Sequence, residues 1–379
     1  MLARDLEHRA CEIPPEILIK AQTLGANSWT LVLRVVLPQL LSRLLTSLRL
    51  LLGFGLVIPH LGGGHLFHRR AGLPHLPRPP LYGDGRHHPL CPVDHAAGVA
   101  DGSGLAPAAQ ILLPVGRRRQ SMSFITINNI WQEYGDHVVL ERLNLQINEG
   151  EFCSMVGASG CGKSTFLRLL LGQEKPSKGT ITLDGKPLTA EPDSRRGVVF
   201  QRYSVFPHLS VLDNVAIGIE LPQSPLFGRL FGAKKRAARE RAAEMLEKVG
   251  LGHALQKYPA QLSGGMQQRL AIAQAFIMQP RVLLLDEPFG ALDPGIRKDM
   301  HALLLQLWGE TRMTVFMVTH DLSEGFNLGT RLLVFDKVRL DPQAPNAYGA
   351  RITYDIPLNE TRLSSLSGTA PDNVYALRG

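Results

Sequence analysis

Aromatic residues are scarce in this chain of 379 residues, 6% in all with three Trp, and cysteine is scarcer still at four. Cys11, Cys91, Cys153 and Cys161 show no paired spacing. That excludes a disulfide framework and a thiolate zinc site alike, and it suits a reducing compartment. No clean apolar run approaches the roughly 20 residues that cross a bilayer. The longest apolar region, residues 31–59, is broken by Arg34, Pro38, Arg43 and Arg49, and its cleanest part, residues 50–58, is too short. The N-terminus lacks the basic-then-apolar pattern of a secretory signal, since residues 6–16 mix charged and polar side chains. A charge excess is also missing from most of the chain. Residues 1–121 hold 13 Lys and Arg against 7 Asp and Glu, whereas the remaining 258 hold 28 against 26. The basic residues of the first part are scattered among Pro, Gly and His rather than gathered in a stripe, which argues against a nucleic-acid partner.

Three segments follow one another. Residues 1–55 read as helical and amphipathic, with apolar residues dense around Arg34, Arg43 and Arg49. Residues 56–119 contain no Lys, Glu, Asn, Thr, Met or Trp, yet carry 9 Pro, 10 Gly, 7 His and 7 Arg. Such a composition cannot bury enough apolar surface to offset the entropy of ordering, so residues 56–121 read as a disordered linker. Its histidines show no ligand spacing. From Ser123 the texture becomes globular: alternation at 124–128, apolar runs at 282–285 and 315–318, and helical stretches at 237–249 and 295–311. Strands alternating with helices predict an α/β domain over residues 122–379 with a largely parallel sheet.

The chemistry sits in that domain. An apolar strand signal at residues 152–156 runs straight into Gly157, Ala158, Ser159, Gly160, Cys161, Gly162, Lys163, Ser164 and Thr165, followed by an apolar helix signal at 166–171. This is GxxxxGK[ST] between a strand and a helix. Glycines let the backbone curl so that N–H groups point at a phosphate, and the helix that follows presents its positive dipole end. Lys163 would neutralise the β- and γ-phosphates, and the Ser164 hydroxyl would ligate Mg²⁺. Cys161 lies where the backbone does the binding, so a redox role is not expected of it. The run 282–285 delivers Asp286 and Glu287 at its carboxyl end. Asp286 would hold Mg²⁺ directly or through water, and Glu287 would polarise an attacking water as general base.

Residues 262–269, Leu-Ser-Gly-Gly-Met-Gln-Gln-Arg, precede a helix signal, with Ser263 placed 23 residues ahead of Asp286. They resemble the signature sequence of ABC-type ATPases, and the resemblance covers roughly residues 123–345. It implies a P-loop NTPase fold of the ABC type, with a mostly parallel core, an antiparallel β subdomain and a helical subdomain carrying the signature. It also implies a head-to-tail dimer with a second copy of the domain, in which Ser263, Gly264 and Gly265 meet the γ-phosphate of ATP held by the partner. Where the family usually has Gln, this chain has Met266. By the same resemblance Gln201 is the glutamine that senses Mg²⁺ and the attacking water. Asp293 belongs to the loop at the dimer seam, Tyr134 stacks on adenine, and His320, 33 residues after Glu287, bonds the γ-phosphate.

Residues 206–214 look like the importer ATPases' surface for a cytoplasmic helix of the membrane permease. Residues 290–294 and 320–324 resemble the nitrate/sulfonate/taurine importer group, and residues 344–357 its urea-carboxylase-associated branch. These resemblances imply a bacterial importer subunit on the cytoplasmic face of the inner membrane, served indirectly by a periplasmic solute-binding protein. A soluble ABC ATPase acting on nucleic acid or ribosomes is the alternative. The insert at residues 221–235 reads as a solvated helix start. Residues 20–25, 35–38 and 48–54 resemble the cytoplasmic loop of that group's permease. On this reading, residues 1–55 are a permease remnant, residues 56–119 its out-of-frame continuation, and Met122 the start of the ATPase proper. A genuine two-domain fusion is the other possibility.

Overall fold

The computed structural model describes residues 10, 12–41, 123–201, 204–339, 341–344 and 346–358. The readings of residues 56–119 as disordered and of Met122 as a start lie outside the described residues. Residues 12–41 belong to the same compact unit as the described part of 123–358. Two short helical pieces make up this N-terminal part. Helix α1 (Pro15–Thr23) opens with proline in its first turn, where no N–H is needed. Helix α2 (Ser28–Leu31) is capped by Asn27, whose side chain accepts from Thr30 N at 2.8 Å, and runs on into a π-helical turn at Val32–Val36.

The remaining elements, in chain order, form two sheets and two groups of helices. Strands β1 (Ile125–Tyr134), β2 (His137–Ile147), β4 (Lys178–Leu183) and β5 (Lys186–Pro187) make an antiparallel sheet in the order β2-β1-β4-β5. Strands β3 (Phe152–Gly157), β6 (Arg196–Val199), β7 (Val282–Asp286), β8 (Thr314–Val318), β9 (Arg331–Asp336) and β10 (Arg351–Pro357) make the second sheet. Its order is β10-β9-β3-β8-β7-β6, parallel throughout except for β10. Helices α3 (Lys163–Leu171), α7 (Pro294–Thr311) and α8 (Leu322–Leu328) accompany this sheet. Helices α4 (Val211–Gln223), α5 (Gly232–Lys248) and α6 (Gly264–Phe276) form a helical part between β6 and β7.

The apolar runs of β7 and β8 are continuous because both faces of a parallel sheet are covered. Alternate residues serve opposite cores. Leu283, Leu285, Val315 and Met317 pack with Phe152, α6 and α7, while Leu284, Phe316 and Val318 pack with Phe166 of α3 and the antiparallel sheet. The first core is closed by an edge-on contact of Phe152 with Trp308, ring centroids 5.7 Å apart, and Trp308 Nε1 donates to Met313 O at 2.9 Å.

The insert differs from its expected form. Leu221 is buried as part of α4, Leu230 is buried in the loop that follows, and only from Gly232 does a solvated helix begin. Leu221 packs on the N-terminal helices and Leu230 in the core of the helical part, and Asn27 reaches Pro225, 198 positions away, a contact that periodicity along one segment cannot show. Phe152→Ala should remove the contact between β3 and α7 and cost about 3–5 kcal/mol, seen as a lower urea midpoint at unchanged slope.

Candidate functional site

Parallel strands that end flush place their following residues on one edge, the usual place for a ligand in an open α/β sheet. Here Val199 of β6 lies opposite Leu285 of β7, Asp286 opposite Val318 of β8, and Val318 opposite Met155 of β3. The residues after these positions are the phosphate loop, Gln201, Glu287 and His320.

The loop between β3 and α3 depends on missing side chains. At Gly157 (φ +148°) a Cβ would fall 2.1 Å from the Phe335 carbonyl oxygen of β9, so the loop can leave β3 there only with glycine. Gly162 caps α3 in the left-handed region, where L side chains are disfavoured, and a Cβ would also strike Leu140 at 2.6 Å. Between them Ala158, Ser159 and Gly160 are exposed, Cys161 and Lys163 are buried, and Ser164 and Thr165 are half-buried. Lys163 Nζ donates to the carbonyls of Gly157 and Ala158, both at 2.8 Å, and lies 3.6 Å from the Cys161 sulfur. The loop thus holds its cation folded inward across its own backbone, ready to be drawn to an anion.

Ser164 Oγ donates to Asp286 Oδ1 at 3.2 Å, joining the first turn of α3 to the end of β7. Burial pushes the Asp286 carboxyl up from the ordinary value and the neighbouring Glu287 charge adds to this, while the Ser164 hydrogen bond and the Arg168 and Lys163 charges oppose it. A hydroxyl and a carboxylate converging beside a phosphate loop are the oxygen ligands that Mg²⁺ takes, so the residues present fit that ion.

Glu287 departs from regular backbone. Its φ is +45°, uncommon for a non-glycine residue, and its N–H donates to Val318 O at 3.0 Å. This turn at the end of β7 points the carboxylate across to two neighbours. Gln201 Nε2 donates to Glu287 Oε2 at 3.1 Å, and His320 Nδ1 lies 3.6 Å from the same oxygen. Side chains following β6, β7 and β8 therefore meet at one atom. A glutamate in strained backbone, faced by a donor and by an imidazole, can accept a proton from water while its neighbours hold its orientation.

Other expected residues stand apart. Tyr134 ends β1, half-exposed, with its hydroxyl on the Glu174 carboxylate. Ser263 caps α6 by accepting from Met266 N at 3.4 Å, and Gly264 and Gly265 are the first residues of that helix. Among the described residues, no hydrogen bond joins Ser263, Gly264 or Gly265 to the loop 157–165. Asp293 is exposed ahead of α7, and its side chain accepts none of that helix's N–H groups, although its carbonyl accepts from Arg297 N at 2.9 Å. In place of an amide, Met266 packs half-buried against the core.

Glu324, to which the sequence reading assigns no role, matters here. It is buried at 5% exposure and accepts from Thr319 Oγ1 at 2.5 Å and from His301 Nε2 at 3.0 Å. Thr319 is thereby held immediately before His320. The signal was the spacing His320 to Glu324, which puts the acid in the first turn of α8, facing back along the chain.

The chain resembles known proteins over the region that holds these residues. The family model described as ABC transporter matches residues 140–290, from within β2 to just past Glu287. The chain is 38% identical over 256 residues to the sulfate/thiosulfate import ATP-binding protein CysA of Mycolicibacterium paratuberculosis, 67% of each chain. It is 43% identical over 220 residues to the bicarbonate transport ATP-binding protein CmpD of a Synechocystis species, 57% of this chain and 75% of that one. A dimeric ATP-binding cassette, MJ0796, in a post-hydrolysis state bound to ADP and Pi, aligns with a TM-score of 0.51 at 30% identity, covering 62% of this chain and 99% of that one. The cbiO1 protein of Clostridium perfringens, part of the cbiONQ transporter complex, aligns with a TM-score of 0.52 at 26% identity, covering 65% and 92%.

The raised pKa of Asp286 has a consequence for stability. The folded protein holds that proton more tightly than the unfolded chain, so the ionised carboxylate costs stability, and the cost is complete above the folded pKa. Asp286→Asn keeps an acceptor for Ser164 and should raise the melting temperature of the nucleotide-free protein at pH 7 but not at pH 3. Calorimetry across that range checks it; a lower melting temperature at pH 7 contradicts it.

Proposed function

The chain belongs to the ABC transporter family, as an ATP-binding subunit of an importer, and within it we propose the following division of labour. It is an ATPase whose hydrolysis is coupled to transport. ATP lies with its phosphates on residues 157–165, where loop N–H groups and the helix dipole of α3 meet the anion and Lys163 leaves its two carbonyls for the β- and γ-phosphates. Tyr134 supplies an aromatic face for adenine. Ser164, Asp286 and Gln201 would hold Mg²⁺, which would supply charge neutralisation for the phosphate oxygens.

Glu287 orients water and takes its proton as the water oxygen bonds to the γ-phosphorus and the bond to the β-phosphate oxygen breaks. Gln201 donates to the Glu287 carboxylate and fixes its direction, while His320 faces the γ-phosphate from the end of β8. Thr319 and Glu324 keep His320 in place. The carrying observation is the meeting of Gln201 and His320 on Glu287 Oε2 at 3.1 and 3.6 Å.

The separation of Ser263, Gly264, Gly265 and Asp293 from this edge supports a site shared between two copies. In a head-to-tail dimer the N-terminus of α6 from one copy would close over the γ-phosphate held by the other. Met266 is a thioether with no side-chain amide to offer there, so closure relies on Ser263 and the N–H groups of Gly264 and Gly265.

The domain limits proposed are residues 122–379 for the ATPase, preceded by the helical segment 1–55 and the linker 56–121. Residues 206–214 face membrane permease subunits, with a periplasmic solute-binding protein acting through them. The chain sits peripherally on the cytoplasmic face of the inner membrane; no described helix is long and apolar enough to cross one. The solute is a small one of the nitrate, sulfonate or taurine kind, or of the urea or guanidine kind. No relative named above is described as acting on nucleic acid or ribosomes.

Glu287→Gln should keep ATP binding, cut turnover by about 10²–10⁴-fold, and trap an ATP-bound dimer on size exclusion. Turnover within threefold of the parent would remove Glu287 from the role of base. Lys163→Ala should weaken nucleotide binding itself, measured by titration with a fluorescent ATP analogue, by about tenfold or more.

A further inference from the structure

The surface read as permease-facing is already covered by the chain's own N-terminal helices. Ile17, Ala21, Leu24 and Val35 share one buried cluster with Phe206 of the 206–214 loop and Ile217 and Leu221 of α4. Polar ties surround this cluster. Arg34 Nη2 pairs with Glu220 Oε2 at 3.0 Å, both side chains under a tenth exposed, and Arg34 also donates to the Gly228 carbonyl. His208 Nε2 donates to the Arg34 carbonyl at 2.8 Å, and Asn27 Nδ2 donates to Pro225 O at 2.8 Å. At Gly25 (φ +87°) the turn between α1 and α2 comes so close to α4 that a Cβ would lie 3.0 Å from Pro222.

One contact reaches toward the site. Lys20 is 1% exposed, and its ammonium donates to Val198 O at 2.7 Å on β6, three residues before Gln201. Burial pulls its pKa down to about 7, with no carboxylate among the described residues offsetting the loss of water. An amine buried against a single carbonyl opposes docking, so the segment is seated by its apolar face and Arg34 against an internal cost at Lys20.

We propose that Pro15–Val36 is a built-in, displaceable occupant of the permease-facing surface. Its seating and engagement of a membrane partner exclude one another. The surface selects its occupant by three features: a tight two-helix turn against Pro222, an apolar strip over Phe206, Ile217 and Leu221, and a cation for the buried Glu220. A permease segment that displaces α1 and α2 must present the same three. This rests on the reading of residues 206–214 as permease-facing, but cis seating and recognition by Glu220 are testable without a permease.

The probe is a fluorescent peptide of residues 12–41, added to the full-length chain. Arg34→Glu in the protein places a second acid beside Glu220 and should release the cis segment. Hydrogen exchange over residues 13–36 then rises about tenfold or more, and the wild-type peptide binds that variant about tenfold tighter than it binds the parent. A peptide carrying Arg34→Glu should fail on the same protein, and Arg34→Glu with Glu220→Arg should restore the cis protection. Exchange unchanged in Arg34→Glu, or equal peptide binding to parent and variant, overturns the proposal. Protection in the parent that falls on dilution would place a second copy's helices on the surface and also overturn it. ATP binding measured on the same samples separates these failures from failure of the ATPase reading, since none of these residues touches the nucleotide site.

Discussion

The alignment of four parallel strands, β6, β7, β8 and β3, governs the rest of the molecule. Asp286 lies level with Val318, and Val318 with Met155, so the loops after these strands leave the sheet at one height. Parallel pairing requires long crossovers, and those crossovers are the helices that bury both faces. Residues separated by more than a hundred positions, such as Ser164 and Asp286, thus come within 3.2 Å. The interior has to be apolar on both sides for this to hold, and alternate residues of β7 and β8 serve two different cores.

The edge created in this way carries its polar groups at a cost. Asp286 is held where burial disfavours its charge, and Glu287 adopts a left-handed backbone that side chains usually avoid. Lys163 is tied to carbonyls of its own loop. Each arrangement is unfavourable or idle by itself, and under the proposed function it would serve a polyphosphate and its cation. Functional edges are where such local costs persist, because the surrounding sheet leaves these residues no other position.

A second surface answers to the same sheet. Val198, in register with Leu284, accepts from Lys20 and lies three residues before Gln201. Helix α1 therefore touches the strand that leads to Gln201.

Much of this was legible in sequence. Strand, glycines, Lys163 and Ser164 announce a phosphate loop because local backbone conformation dictates residue type there. The apolar run ending in Asp286 and Glu287 announces a buried strand by the same local logic. Resemblance assigned Gln201 and His320 separate roles, but it did not show that both meet Glu287 at one oxygen, because residue spacing cannot supply a distance. Glu324 behind His320 was missed because its burial depends on α7 and His301. The insert at residues 221–235 is largely exposed and does start a solvated helix at Gly232, but the burial of Leu221 was not legible because its packing partners lie in the N-terminal helices. The sequence by itself determined which elements form and which residues carry charge at their ends, since those follow from local propensity and pattern. Only the tertiary structure decided which ends coincide and what covers α4, because strand order and long-range docking depend on burial summed over the whole fold.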